Sequence, residues 1–502
     1  MPQIHEDGQL LEELAVPRES LTSGDTAQSA FGLRLSGLRS SWRRFHRVSP
    51  SGSHIAVSAA TNVGIAALGL LSGPLAARLL GPAGRGEVAA IQNLFWLTAI
   101  LAMLGLPEAA TYFTARDPGN AGSVLATGIA LPVLAMPVCF AVMYPLVPHI
   151  LAAQPFEVRH AARWILLAVP LFAAILVGTN TVRGANKLMH WNLLRILPGA
   201  GWLVFLGGAW FWGMKDPVRI AGGYIAVLAC IVVPTLWIAA RLVPSSWSPS
   251  TKMAAPMLRY GIPLAGAAIP QTLNLRLDQI LIGAFLPPYQ LGLYVAAVAW
   301  STAVFLMPNA IGNVLFPKLA SSATSPAERV RILAQGVRIG ILTCAVVGIP
   351  LLALTPYAIP LLFGKPFAGA VPVAYILIFA AVICALNIIF EESLSGLGDT
   401  RAIFWGETVG VGMTVLALAL LLPRFGIIGA GIASILGYGT TCTVLIIRIC
   451  GATSFSLASL LPRRADLRFL AVRLQGWRAM ASQSPNEPYT LQPLNGVCHD
   501  KN

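Results

Sequence analysis

The chain carries little charge. Its 34 Lys and Arg and 20 Asp and Glu make up 11 % of 502 residues, less than half the ~25 % of an average soluble protein. With so few charges it cannot dress the surface of a soluble globule. It is not a disordered chain either, because 56 % of its residues are hydrophobic and such a chain collapses. Cysteine is sparse and scattered. There are seven, with no CxxC pair among them, which argues against a zinc site or a disulfide framework. Cys139, Cys230, Cys344, Cys384 and Cys442 lie inside apolar runs, Cys450 ends one, and Cys498 is in the tail. There is no Walker A sequence, so no nucleotide site of its own, and no HExxH. Gly84-Arg85-Gly86-Glu87-Val88-Ala89 imitates a dinucleotide fingerprint, but no strand precedes it. No cofactor or metal is expected. The first 30 residues are polar and acidic (Glu6, Asp7, Glu12, Glu13, Glu19, Asp25), so no cleavable signal peptide is expected. Long loops are missing too, which disfavours an envelope glycosyltransferase or ligase built on a folded extramembrane domain.

What the chain has is apolar runs long enough to cross a bilayer. A spanning helix takes ~20 residues, and mean hydropathy is +0.72. Runs separated by Gly, Pro and charge predict an all-α polytopic membrane protein with twelve spans, at about 54–77, 88–107, 121–147, 160–182, 192–213, 219–240, 259–285, 290–316, 332–356, 369–390, 403–422 and 427–448. The least regular are the fifth, which starts polar, and the eleventh, which carries Glu407. Cationic residues accumulate on the cytoplasmic side of membrane proteins. With a cytoplasmic N-terminus, 25 of the 34 Lys and Arg fall on that side, 8 on the other, and Arg276 within a span. Both termini are then cytoplasmic. The net charge of +14 follows from this bias and calls for no nucleic acid. The basic, partly amphipathic segments 31–47 and 456–480 suit the anionic inner leaflet, and the last 20 residues read as disordered.

The chain repeats itself at half-length. Leu80-Gly81-Pro82-Ala83-Gly84-Arg85-Gly86 aligns with Leu286-Pro287-Pro288-Tyr289-Gln290-Leu291-Gly292. Arg183-Gly184-Ala185-Asn186-Lys187 corresponds to Ser395-Gly396-Leu397-Gly398-Asp399. The expected organisation is an N-terminal tail (1–50), a six-helix bundle (51–245), a second six-helix bundle (246–451) and a C-terminal tail (452–502). Parallel repeats of this kind build carriers whose substrate site lies between rocking halves.

Several strings, in order, resemble the polysaccharide-transporter (Wzx-type oligosaccharide flippase) branch of the MATE/MOP superfamily. They are GPLAARLLGPAGRGEVAA at 73–90, Tyr260-Gly261-Ile262-Pro263, Arg276-Leu277-Asp278, Gly292-Leu293-Tyr294-Val295-Ala296-Ala297 and Phe316-Pro317. LSGLGDTRAIFW at 394–405 and LPRFGIIGAGIASILGY at 422–438 complete the set. The resemblance covers residues ~54–450. It implies a flippase that moves undecaprenyl-diphosphate-linked oligosaccharide across the bacterial inner membrane for O-antigen, capsule or exopolysaccharide assembly. Its partners would be the polyprenyl-linked oligosaccharide, membrane lipids and a polysaccharide polymerase. The alternatives are an ion-coupled drug or metabolite antiporter of the same superfamily, a lipid II flippase (which typically has two more helices), a major-facilitator carrier, and a non-transporting scaffold. A drug carrier needs acidic groups in its cavity, and a diphosphate carrier needs basic ones.

Polar groups inside spans nominate the site, because burying charge in lipid costs roughly 2.5–3.5 kcal/mol. In the seventh span Gln271, Asn274 and Asp278 share one face of a continuous helix, with Arg276 on the other. Arg276 is expected on the diphosphate with Gln271 and Asn274 beside it, and Asp278 on a coupling ion. For Asp278, tying the helix to its neighbour is the competing role. Arg78 and Arg183 are further substrate candidates, each near an interface where snorkelling is the ordinary explanation. Glu391 and Glu407 are expected near inner helix ends, gating or titrating. Asn309, Asn387 and Trp202 fit either sugar contacts or helix packing.

Overall fold

The computed structural model describes residues 50–243, 246–320 and 325–453. The basic segments 31–47 and 456–480 and the last 20 residues lie outside these. Contacts divide the chain into Met1–Ala56 and Val57–Asn502, and the fold described is that of the second unit. All its regular structure is helical, with no strand among the described residues. Among the described residues, eight helical segments are long and apolar enough to cross a membrane.

Two expected pairs of spans run together as single long helices. α1 (Pro50–Met103) joins the first two. At 1.5 Å per residue it would be ~80 Å long if straight, more than twice the ~30 Å hydrocarbon core. It bends at Gly81, whose φ of 67° and ψ of 179° only glycine adopts cheaply. Pro82 then opens the next helical piece, where its missing N–H does no harm. The last helix repeats the device at Gly426, with φ 56°. Between them lie α2 (Leu106–Arg116), α3 (Ala121–Ile150), α4 (Phe156–Ile165), α5 (Val169–Gly184), α6 (Leu188–Phe211) and α7 (Pro217–Leu242). The second half holds α8 (Thr251–Asn274), α9 (Leu277–Phe285), α10 (Pro288–Ser301), α11 (Leu306–Ala320), α12 (Pro326–Phe363), α13 (Val371–Leu397) and α14 (Thr400–Ala452).

The seventh span departs from its expected form. It breaks at Leu275 and Arg276 into α8 and α9, with Arg276 at φ −132° and ψ −16°. The one-face argument for Gln271, Asn274 and Asp278 fails across this break. Pro263 and Pro270 already weaken the helix upstream, since each removes a backbone donor.

The internal repeat is visible in the packing. An added Cβ on Gly86 would lie 1.8 Å from the Pro288 carbonyl oxygen, and one on Gly292 would lie 1.8 Å from that of Pro82. These are the aligned positions of the two halves, meeting backbone to backbone across a local two-fold relation. Asn186 and Gly398, also aligned, both take positive φ, 58° and 83°.

At this end, the outer one in the expected orientation, the halves share one apolar core that includes Phe95, Val147 and Phe172 with Tyr294, Phe363 and Phe367. Polar bonds sew the seam. Asn93 Nδ2 donates to Gln279 Oε1 at 3.3 Å, Gln154 Nε2 to the Gly283 carbonyl at 2.9 Å, and the Ala153 N–H to the Ala284 carbonyl at 3.2 Å. At the opposite end the cores are separate. One gathers Leu106, Leu125, Leu194 and Met257, the other Leu315, Phe390 and Leu445. α8 joins the two halves. Its start packs into the first core, where Tyr260 stacks on Tyr112 at 4.3 Å. Its end lies on α14.

Candidate functional site

A cavity of about 250 Å³ opens inside the second half. The end of α8 contributes Gln271 and Asn274, α13 contributes Asn387 and Glu391, and α14 contributes Glu407 and Tyr438. Glu391 and Glu407 are buried, although they stand sixteen residues apart on successive helices. The two helices reverse direction at Gly398 and Asp399, where the Asp399 side chain caps α14 by accepting from the Ala402 N–H. That reversal brings both carboxyls to the same depth.

The polar contacts fix roles. Gln271 Nε2 donates to Glu391 Oε2 at 2.6 Å. Asn274 Nδ2 donates to Glu407 Oε2 at 3.0 Å and to Thr441 Oγ1 at 3.3 Å, and its Oδ1 accepts from Thr414 Oγ1 at 2.9 Å. Both carboxyls line the same cavity, each held by an amide from the end of α8. Asn387 Nδ2 donates to the Tyr438 carbonyl at 3.0 Å. Its Oδ1 has no partner although the residue is only 2 % exposed. Buried polar atoms are rarely left unpaired. An unpaired oxygen beside two carboxyls offers coordination to a proton or small cation.

The structure sorts the residues expected at the site. Gln271, Asn274, Glu391 and Glu407 come together. Asn274 spends its amide within the protein, holding α8 to α14. Asp278 does not reach this cavity. It accepts from Tyr294 Oη at 2.5 Å, from the Gln279 N–H at 2.7 Å and from Ser434 Oγ at 3.4 Å, which ties α9 to α10 and α14. Arg276 is exposed at the break and does not line the cavity.

Arg78 reaches across the seam. Its Nε donates to the Leu362 carbonyl at 2.8 Å and its Nη2 to that of Leu361. The last carbonyls of a helix lack intrahelical partners, so Arg78 caps α12. Arg183 lies over the Trp191 ring at 5.0 Å, with Arg195 over the same ring at 4.5 Å. Glu391 and Glu407, expected near helix ends, lie near the end of α13 and the start of α14 and line one cavity together. Periodicity within one span cannot show that two spans present carboxyls to each other. Arg195 counts among the inner-side cations in the charge bias although it falls inside the fifth expected span, 192–213; in the structure it is the eighth residue of α6.

An all-helical membrane protein with a broken helix beside a buried polar cavity belongs to the class of transporters. Comparison with known proteins agrees. The family described as "polysaccharide biosynthesis protein" matches residues 52–323, more than half of the chain, and this protein belongs to it. The probable low-salt glycan biosynthesis flippase Agl15 of Haloferax volcanii is 22 % identical over 74 % of this chain and 77 % of its own. The succinoglycan biosynthesis transport protein ExoT of Rhizobium meliloti is 23 % identical over 72 % of each. Among solved structures, the lipid II flippase MurJ in an inward closed conformation superposes with a TM-score of 0.65 at 12 % identity, covering 86 % of this chain and 94 % of that one. An inward-facing multidrug resistance MATE transporter of the MOP superfamily gives 0.56 at 16 % identity, over 78 % and 94 %. These likenesses establish the fold. The chain is a multi-pass membrane transporter of polysaccharide biosynthesis, not an enzyme.

Proposed function

We propose that the protein is a flippase that carries an undecaprenyl-diphosphate-linked oligosaccharide across the bacterial inner membrane, driven by a cation or proton gradient. The sugars and diphosphate cross between the halves while the polyprenyl tail stays in lipid. Twelve spans form two six-helix bundles, 51–245 and 246–451, with both termini cytoplasmic. A polysaccharide polymerase would receive the product. Arg276, exposed at the helix break, is available to the diphosphate in this reading.

The observation that carries coupled transport is the cavity of Glu391, Glu407 and the unpaired Asn387 oxygen. It can load and release positive charge, and α8 links it to the seam between the halves. One shared core at the outer end and two separate cores at the other support alternating access, since the halves can part at one end while the other stays packed. The acidity of this cavity also favours a second reading, a cation-coupled antiporter of drugs or metabolites.

Complementation separates the two. The protein, expressed in cells lacking their own oligosaccharide flippase, restores surface polysaccharide under the first reading. Under the second it restores none and lowers the accumulation of a cationic dye.

A further inference from the structure

The inner mouth of the first half holds a second cluster of charge. The C-terminal end of α2, the α5–α6 turn and the α7–α8 connection lie at one end of the molecule. Thr111 Oγ1 donates to the Asn180 carbonyl at 3.1 Å, and the Ser250 N–H to Thr127 Oγ1 at 2.9 Å. Here Trp191 is flanked by two guanidinium groups, Arg183 at 5.0 Å and Arg195 at 4.5 Å from the ring centroid.

The ordinary explanation serves Arg183 alone, because a cation at the C-terminus of α5 answers the helix dipole. It does not serve Arg195, which is half-buried and stands two turns inside α6. Arg195 is held in place by amides. Its Nη2 donates to Asn62 Oδ1 of α1 at 2.8 Å and its Nη1 to Asn192 Oδ1 at 3.5 Å. Asn192 is fixed in turn by donating to Ser58 Oγ at 3.0 Å. The two guanidinium groups repel each other. The ion pairs Arg219–Asp216, Arg331–Glu328 and Arg448–Asp399 involve neither of these two guanidinium groups.

We infer that Arg183, Trp191 and Arg195 form a docking site for a membrane-borne phosphate group. Guanidinium presents a planar fork matched to phosphate oxygens, and stacking on the indole pre-orients both forks. A phosphate would relieve their mutual repulsion. Arg195 lies ~10 Å along α6 from its start, at the 1.5 Å rise of a helix, so an anion that reaches it comes carried by a lipid. Two sources share this chemistry: a prenyl diphosphate and the headgroup of an anionic phospholipid. The flippase reading bears only on which of the two it is.

The test is binding to the purified full chain in nanodiscs, with farnesyl diphosphate and farnesol as probes. Farnesyl diphosphate should bind more tightly than farnesol. The R183Q/R195Q double variant should lose about tenfold or more in affinity for the diphosphate and none for the alcohol. W191F should keep most of the binding and W191A lose it. Replacing phosphatidylcholine by phosphatidylglycerol assigns the source. If phosphatidylglycerol competes with farnesyl diphosphate in wild type and not in the double variant, the site takes phospholipid headgroups. If it does not compete, the site takes prenyl diphosphate. A double variant of unchanged thermal midpoint that binds farnesyl diphosphate like wild type overturns the inference. Intact binding without restored polysaccharide would sink the flippase reading and leave this site standing.

Discussion

At the residue scale, the two halves of the broken seventh span divide the work. Gln271 and Asn274, before the break, hold the carboxyls of Glu391 and Glu407. Asp278, after it, is enclosed by Tyr294 and Ser434. The carboxyl pair should therefore carry the coupling and Asp278 the architecture. Glu391→Gln and Glu407→Gln should each lower polysaccharide export by roughly tenfold or more, equivalent to ~1.4 kcal/mol, with normal amounts of protein in the membrane. Export rates in cells, normalised to membrane protein, check this. Tyr294→Phe should instead destabilise the protein by about 1–3 kcal/mol, the cost of leaving a buried polar group short of a partner. That appears as a lower thermal midpoint in detergent, with export per folded molecule retained.

At the scale of elements, glycine controls how the helices meet. Gly86 and Gly292 let two helix starts touch through their backbones, and a methyl group at either position would overlap a carbonyl oxygen of the other half. Gly292→Ala should force the outer seam apart, at about 1–3 kcal/mol for overpacking, measured as a fall in thermal midpoint. An alanine at Gly439, which has open space around its would-be Cβ, should leave the midpoint unchanged. Arg78 acts at the same seam by capping α12. The sequence placed it at the end of the first span, where snorkelling and phosphate binding compete as explanations. Its partner carbonyls lie more than 280 residues away, beyond any local pattern.

At the scale of the whole molecule, the charge bias makes a topological prediction. Single cysteines at Lys187 and Lys365, introduced into a cysteine-free chain, should label from opposite sides of the membrane with an impermeant maleimide, Lys187 from the cytoplasm. Labelling of both from one side would contradict the twelve-span arrangement. The separate cores at one end and the shared core at the other fit a carrier whose outer seam is closed.

Composition and periodicity alone determined the class of this protein. Apolar runs of bilayer length with sparse charge leave lipid as the only solvent that suits them, and a half-length repeat makes two related bundles. The aligned turns at Gly86 and Gly292 were readable because duplication preserves local sequence. Tertiary structure decided the site. Which carboxyl meets which amide depends on how α8, α13 and α14 pack, and a break of two residues at Leu275 and Arg276 was enough to send Asp278 and Asn274 to different neighbours. Helical periodicity holds only while the backbone hydrogen bonds continue. Where prolines interrupt them, packing between helices chooses which side chains come together.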